Sequence, residues 1–600
     1  MNNNSKYIIQ FAIILVSLIF TGRLFSIQIL DKNYKLAAED NAMRPIIEYP
    51  YRGVIYDRNG KLIVHNTPVY DLMVIPKEVK IKDTLAFCQM VGITKKEFED
   101  RLKTLKKQHR YALPSVLVKQ IPSEEFAKIQ SLLLDYPGFN IVARTVRGYP
   151  YGSLANALGY MREIDQKGLD RDTVNYYKKG DYIGISGVEA SYEEPLRGKR
   201  GVQYKMVNAI GVVKGSFNNG TFDTLSIPGQ NLHASIDITL QNYAEKLLNG
   251  KRGSVVAIEP STGEILSIVS RPSYNPNILS GRDLSKNYRT LTQDTLKPLF
   301  NRPIMATYPP GSIFKTLQAL IALQEGVITP GEQIYCDGLL IGDHAPPGYY
   351  NVHRGIKYSS NNYFFKVFRR IINQKKHENT FIDARIGLTN WRKYVAGFGL
   401  GHRLGVDIPN EKGGHIPDTS YYDRFYGKNR WKFSNIYSLS IGQGEMLMTP
   451  IQMANLAAIL ANRGYYYTPH IIKGVADENQ PLPEYRKKHF SGIDSSYFSP
   501  VIDAMQEALA GTAGRAIIRD IEICGKTGTA ENPHGEDHSV FMAFAPKKDP
   551  KIAIAVYVEN AGWGGRAAAS TASLMIEKYI RGEITRPWLE DYVLQGKFIY

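Results

Sequence analysis

GSVVAIEPSTGEILSIVSRP, residues Gly253 to Pro272, consists of two runs of alternating apolar residues on either side of a Pro-Ser-Thr-Gly turn, the pattern of two paired strands. Near the other end of the chain, VFMAFAP (Val540 to Pro546) and KIAIAVYVE (Lys551 to Glu559) repeat that pattern around KKDP. Between the two hairpins the apolar spacing is helical: SIFKTLQALIALQEG from Ser312, SNNYFFKVFRRII from Ser360, PIQMANLAAILANRG from Pro450 and SPVIDAMQEALAG from Ser499. One further helix, RAAASTASLMIEKYI, follows the last strand. Strands at both ends with helices between them predict an α+β domain over residues 231–592. Its central antiparallel sheet is flanked by helices, and its first and last strands are neighbours. Residues 593–600 read as a C-terminal tail.

At the other terminus, YIIQFAIILVSLIFTG (Tyr7 to Gly22) carries no charge, and only Arg23 interrupts the apolar run before Asp31. A helix over residues 7–30 would extend about 36 Å, enough to cross a ~30 Å hydrocarbon core. Arg23 falls near its end, where a long side chain reaches the headgroups. No small-residue cleavage site follows, so the segment reads as a retained anchor rather than a signal peptide. Residues 1–6, MNNNSK, would then be a cytoplasmic tail. Residues 31–230 are expected to form an elongated α+β pedestal. It has a hairpin turning at Asp57-Arg58-Asn59-Gly60 and an amphipathic helix, TKKEFEDRLKTLKK, with Phe98, Leu102 and Leu105 at helical spacing. No catalytic constellation is visible in it.

Composition narrows the classes. Lys and Arg number 74 against 57 Asp and Glu, a net charge of +17, and hydrophobic residues make up 43% of 600. That excludes a disordered, collagenous or low-complexity chain, and the length excludes a small binding module. Three scattered cysteines, Cys88, Cys336 and Cys524, supply no disulfide framework. The basic residues are dispersed, without aromatic platforms or zinc-finger spacing, so no nucleic-acid partner is expected.

The chemistry gathers at three places. Ser312 and Lys315 lie three apart at the start of a helix, so they share a face, and the helix N-terminus favours developing negative charge. A serine becomes a nucleophile only when a base takes its proton, and a lysine is a base only when desolvation or a second cation lowers its pKa. Lys526 is a candidate for that cation. Each feature alone is bland: a capping serine with a solvated lysine, a cluster Ser359-Ser360-Asn361 at a helix start, and Lys526-Thr527-Gly528-Thr529 where a strand runs into a loop. In this order they make the S-x-x-K, S-x-N, K-T-G set of serine acyl-transfer enzymes.

With that set, RLFSIQ, RGVIYDRNG, RGYPYGSLANALGY, GVEASYEEPLRG, YPPGSIFKT, SIGQGEMLMTP and KTGTAE resemble class B penicillin-binding proteins over nearly the whole chain. The YPPGS lead-in is similar to the elongation-type transpeptidases of the class rather than the septal type. Two departures are Asn156, often histidine in the family, and Asn361, often aspartate. The resemblance implies a membrane-anchored peptidoglycan D,D-transpeptidase/carboxypeptidase, a β-lactam target, with an anchor, a pedestal and a penicillin-binding domain of β-lactamase-like fold. Ser312 would be acylated, Lys315 would be the base, and Ser359 would relay the proton to the leaving amine. Asn361 would hold the peptide, while Lys526, with Thr527, Gly528 and Thr529, would bind the substrate carboxylate. The backbone N–H groups of Ser312 and Thr529 would form the oxyanion hole. Implied partners are stem peptides, penicillin, membrane lipid and a SEDS-type glycosyltransferase. The implied location is the inner membrane, single-pass, with the catalytic domain in the periplasm. Some relatives bind zinc near the second motif, which makes Cys336, Asp343, His344 and His353 candidate ligands. The position where those relatives place a cysteine is Ser360, so the expectation is no cofactor, with zinc the alternative. Rival readings are a β-lactam sensor or β-lactamase-like hydrolase, and a non-catalytic scaffold.

Overall fold

The computed structural model describes residues 3–27, 43–107, 111, 114–207, 213–476, 478 and 480–599. Among them one helix, α1 (Asn3–Phe25), is long and apolar enough to cross a membrane. Its apolar window of 20 residues rises about 30 Å, so it matches the hydrocarbon thickness without the expected extension to Leu30, which lies outside the described residues.

The chain divides into two compact units. The smaller comprises residues 1–52, 68–145 and 197–229. Its core is built around Phe87, whose ring lies 4.5 Å from Phe139 and 5.6 Å from Phe98. Phe98 is the buried residue of helix α2 (Lys95–Lys107), the amphipathic helix expected from the sequence, and Thr94 and Glu97 cap that helix reciprocally. The larger unit comprises residues 53–67, 146–196 and 230–600. The hairpin at Asp57–Gly60 is present, with β1 (Ile55–Tyr56) pairing antiparallel to the start of β2 (Leu62–Val74).

The larger unit is organised on a five-stranded antiparallel sheet. Its strands are β3 (Gly253–Ile258), β4 (Ile265–Arg271), β5 (Cys524–Ala530), β6 (His538–Ala545) and β7 (Ile552–Val558), in the order β4-β3-β7-β6-β5. The first and last strands in sequence are neighbours, Val256 facing Ala555. Both faces are covered. Successive side chains alternate across a strand, so Val540, Met542 and Phe544 enter one core while Phe541, Ala543 and Ala545 enter the other. The first core takes in α3 (Lys315–Gln324), α4 (Asn361–Ile372), α5 (Pro450–Ala461) and much of α6 (Phe498–Thr512). The second takes in α7 (Ala568–Arg581). Helix α5 is wholly buried, its two amides Gln452 and Asn455 included, and is started by a Thr449/Gln452 capping box with Pro450 at its first turn.

The chain end departs from the tail read over residues 593–600. Helix α8 runs Pro587–Gln595 with Val593 buried, and Phe598 is buried too, its carbonyl accepting from Arg566 at 3.1 Å. Val593 and Phe598, with Leu594 beside them, dock it onto the second core.

Candidate active site

The nucleophile loop is pinned before the helix begins. Tyr308 exchanges backbone hydrogen bonds with Met448 at 2.9 and 2.8 Å, and Gly311 N–H donates to the Gly442 carbonyl at 2.9 Å. Gly311 has φ +59°, and a Cβ there would lie 2.7 Å from the Thr529 carbonyl oxygen, so only glycine lets loop and strand approach this closely. Ser312 therefore lies in a 3-10 turn, Gly311–Phe314, and the α-helix starts at Lys315 rather than at Ser312 as the periodicity suggests.

Lys315 is fully buried. Its Nζ donates to Ser359 O at 2.6 Å, Asn361 Oδ1 at 2.5 Å and Ser359 Oγ at 3.3 Å. Lys526, also fully buried, donates to the same Ser359 Oγ at 2.8 Å and to Thr527 O at 3.0 Å. The second-motif hydroxyl thus sits between two lysine amino groups, on a residue with φ +56°. Burial first, and the neighbouring Lys526 second, hold Lys315 well below the ordinary lysine range, against an opposing pull from Asp343. Burial brings Lys526 down to about 7. A lysine whose neutral form is favoured in this way is the base that a serine nucleophile needs.

The three motifs come together as expected. Lys526 to Thr529 lie wholly within β5, the edge strand of the sheet, rather than partly in a loop. Thr527 Oγ1 donates to Thr512 Oγ1 at 3.1 Å, and Gly528 packs so closely that a Cβ would meet the Pro310 carbonyl at 2.9 Å. Asn361 opens α4, and its Nδ2 donates to Gly342 O at 2.6 Å. Ser360 is the N-cap, accepting from Tyr363 N–H at 3.2 Å.

The four candidate metal ligands are not brought together. Cys336 is buried in a short strand, with its thiol directed at the Ile334 carbonyl at 3.6 Å. His344 packs on Trp563 with centroids 5.1 Å apart, and His353 faces Glu507 at 3.1 Å. Among the described residues no group of three or more His, Cys, Asp or Glu side chains converges. Spacing in a loop says nothing about where side chains point.

Asp343 has a different role, which the sequence did not suggest. Its carboxylate accepts from Ser360 Oγ at 2.7 Å, Asn362 N–H at 2.8 Å and Ala345 N–H at 3.1 Å. Burial would raise its pKa, and these hydrogen bonds outweigh that and hold it below the usual carboxylate range. Asp343→Asn removes the anion that favours protonated Lys315, so the Lys315 pKa falls further. Acylation by penicillin should drop about tenfold through the loosened motif, while the ascending limb of its pH–rate profile moves to lower pH. An unmoved limb would limit Asp343 to a mechanical role. Gln443 likewise carries no catalytic signal in the sequence: it lies in SIGQGEMLMTP and donates from Nε2 to the Thr529 carbonyl at 3.2 Å, tying that segment to β5.

A buried lysine one turn after a half-buried serine, a hydroxyl between two lysines, and an edge strand beside them define a serine acyl-transferring enzyme built on an antiparallel sheet. Family comparison makes this specific. The penicillin binding protein transpeptidase domain matches residues 253–577, and the penicillin-binding protein dimerisation domain matches residues 47–234. Peptidoglycan D,D-transpeptidase MrdA of Acinetobacter baumannii is 32% identical, over 93% of this chain and 84% of that protein. The structure of penicillin-binding protein PBP2 in complex with MreC, from Helicobacter pylori, has a TM-score of 0.74 at 25% identity, covering 90% of this chain and 99% of the other. Pseudomonas aeruginosa PBP2 in complex with WCK 5153 gives 0.65 at 28%, covering 91% and 99%. The chain belongs to the penicillin-binding protein transpeptidases, and it is a peptidoglycan D,D-transpeptidase of the PBP2 type.

Proposed function

We propose that this chain crosslinks stem peptides during wall elongation through an acyl-enzyme on Ser312. The observation that carries the reading is the burial of Lys315 and Lys526 on either side of Ser359 Oγ, beside the turn that holds Ser312. Ser312 Oγ attacks the carbonyl of the penultimate D-Ala while its proton passes to neutral Lys315. Backbone N–H groups of Ser312 and Thr529 take the oxyanion. Ser359 Oγ passes a proton to the departing D-Ala nitrogen. An amine from a second strand then attacks the ester, the new amide forms, and Ser312 regains its proton. Asn361 holds the donor peptide, and Lys526, Thr527, Gly528 and Thr529 face its terminal carboxylate. Water in place of the amine gives carboxypeptidation by the same steps, and a β-lactam ring opened by Ser312 halts the enzyme after the first half.

Helix α1 supports a single-pass anchor in the inner membrane, with the N-terminus in the cytoplasm and the catalytic unit in the periplasm. The match of residues 47–234 to the dimerisation domain supports a docking role for that region, with a SEDS-type glycosyltransferase as its partner and an MreC-like protein as a second. The site binds no cofactor in this reading.

Labelled penicillin should attach stoichiometrically to the peptide containing Ser312, and the intact-mass adduct should persist for minutes or longer. Label on the Ser359 peptide would overturn the assignment. Rapid loss of the adduct would move the chain to a β-lactamase.

A further inference from the structure

Helix α4 carries Asn361 at its first turn, and its far end borders a cleft of about 710 Å³ that the reaction does not use. Lys366, Arg369, Arg370 and Lys375 line it, spread over the last turns of α4 and the loop beyond. At 1.5 Å per residue, Arg369 is about 12 Å along the helix from Asn361. Not all of this charge is free. Arg370 is paired with Glu332 at 2.6 Å, and Lys366 donates to the Tyr335 carbonyl at 2.7 Å. Arg369 and Lys375 are exposed, and their side chains make no hydrogen bond or ion pair among the described residues.

The acidic groups on the lining do not cancel this. Asp383 is buried, and its oxygens accept from the backbone N–H groups of Lys375 at 3.2 Å and Lys376 at 2.8 Å. Glu378, on the exposed rim, is the other carboxylate. The cleft also has an apolar side, formed by Ile334, Phe365 and half-exposed Leu340. Asn373 Oδ1, at the C-cap of α4, is buried and has no hydrogen-bond partner among the described residues. Two uncommitted cations, an apolar wall and a buried amide oxygen lacking a donor are together complementary to a peptide with carboxylate, aliphatic and N–H groups.

Leu340 connects the cleft to the catalytic motifs. It belongs to the loop whose Gly342 carbonyl and Asp343 carboxylate hold Asn361 and Ser360, and its own N–H donates to Asn362 Oδ1 at 3.3 Å. An occupant touching Leu340 therefore lies against the segment that sets the second motif.

We infer that this cleft is a second peptide site, which takes a carboxylate-bearing stretch of a peptidoglycan stem peptide while Ser312 holds the donor. The inference rests on the transpeptidase reading above. It is tested on the full chain in detergent, with Ser312 first blocked by penicillin so that only the second site is open. The probe is a fluorescent stem peptide with free carboxylates, compared with the same peptide after amidation. The free-acid peptide should still bind the blocked enzyme. Amidation, or Arg369→Gln combined with Lys375→Gln, should weaken binding about tenfold. The charge-preserving pair Arg369→Lys with Lys375→Arg should stay within about threefold of the parent. Loss of binding on penicillin blocking, equal affinity for the amidated peptide, or an unaffected double glutamine variant would each overturn the inference. So would a cleft that ignores the peptide and binds anionic phospholipid vesicles through the same two residues. Absence of the penicilloyl mass on the parent chain would instead overturn the transpeptidase reading, and this inference with it.

Discussion

Lys315→Arg is expected to slow acylation of Ser312 by penicillin by about 10² to 10⁴, the usual contribution of a positioned general base. The variant keeps a cation in the same place, but a guanidinium does not lose its proton near neutral pH. For the native amine, burial first and Lys526 second favour the neutral form. The pH profile carries the same information with a definite sign. In the parent, the acylation rate rises with pH as Lys315 deprotonates. It falls again near pH 7 and above as Lys526, brought down to about 7 by burial, loses the charge that attracts the substrate carboxylate. The rising limb should disappear in Lys315→Arg. Stopped-flow acylation with a chromogenic cephalosporin measures both effects, and near-parental rates in the variant would leave Lys315 a purely structural residue. Both lysines are fully buried, so Lys526→Arg is no mild change either: a larger head group must fit where no space is open.

Gly311→Ala should reduce acylation about a hundredfold while leaving the unit folded. An alanine at φ +59° is strained, and its methyl would start 2.7 Å from the Thr529 carbonyl oxygen, well inside van der Waals contact. The neighbouring chain cannot absorb this, because Gly442, at φ +72°, already has the Gly311 carbonyl 2.3 Å from where its own Cβ would lie. Loop or strand must therefore retreat by several tenths of an ångström, and Ser312 shifts relative to Thr529 N–H. Displacements of that order at a reacting centre cost about two decades in rate. The check is the acylation rate set beside the thermal midpoint, and a rate within threefold of the parent would mean that the close approach does not position the nucleophile.

The parts of this molecule that were legible in the sequence are those with a local period. Val255 and Ala257 face one core while Val256 and Ile258 face the other, and strand β3 follows from that alternation; Ser360 precedes a helical run and caps it. The contact of β3 with β7 was legible because a domain whose chain begins and ends in strands has few other ways to close. What could not be read rests on single long-range contacts. Asp343 reaches Ser360 from an irregular loop, and Gln443 reaches Thr529 across the fold. Asn156 lies in the stretch 31–230, which reads as a pedestal without a catalytic constellation. Its side chain instead accepts from Ser273 Oγ at 3.0 Å and donates to the Pro298 carbonyl at 3.0 Å, within the catalytic unit. Residues 53–67 and 146–196 cluster with that unit although they precede it in the chain, joined to it by contacts such as Arg58–Glu259 at 2.7 Å and Tyr192 Oη donating to Asp407 at 3.1 Å, while the buried Arg147–Glu189 pair at 2.7 Å ties the second segment to itself. Neither composition nor periodicity encodes which partner a buried arginine finds.

Two ammonium-bearing side chains excluded from water have a thermodynamic consequence apart from the reaction they serve. In the unfolded chain Lys526 titrates near 10.5, and in the folded one near 7. Between those values the unfolded state binds the proton that the folded state has released, so this residue makes the protein more stable as pH rises. Below about 7 both states are protonated, and the native fold bears the full penalty of a desolvated charge. The difference in melting temperature between the parent and Lys526→Met should accordingly be largest in mild acid, with methionine the more heat-resistant, and should shrink from pH 7 towards pH 9. The catalytic unit is thus least secure against unfolding under the acidic conditions in which its lysines are fully charged, and acidification of its surroundings would weaken the fold of this enzyme at the same time as it silences the base.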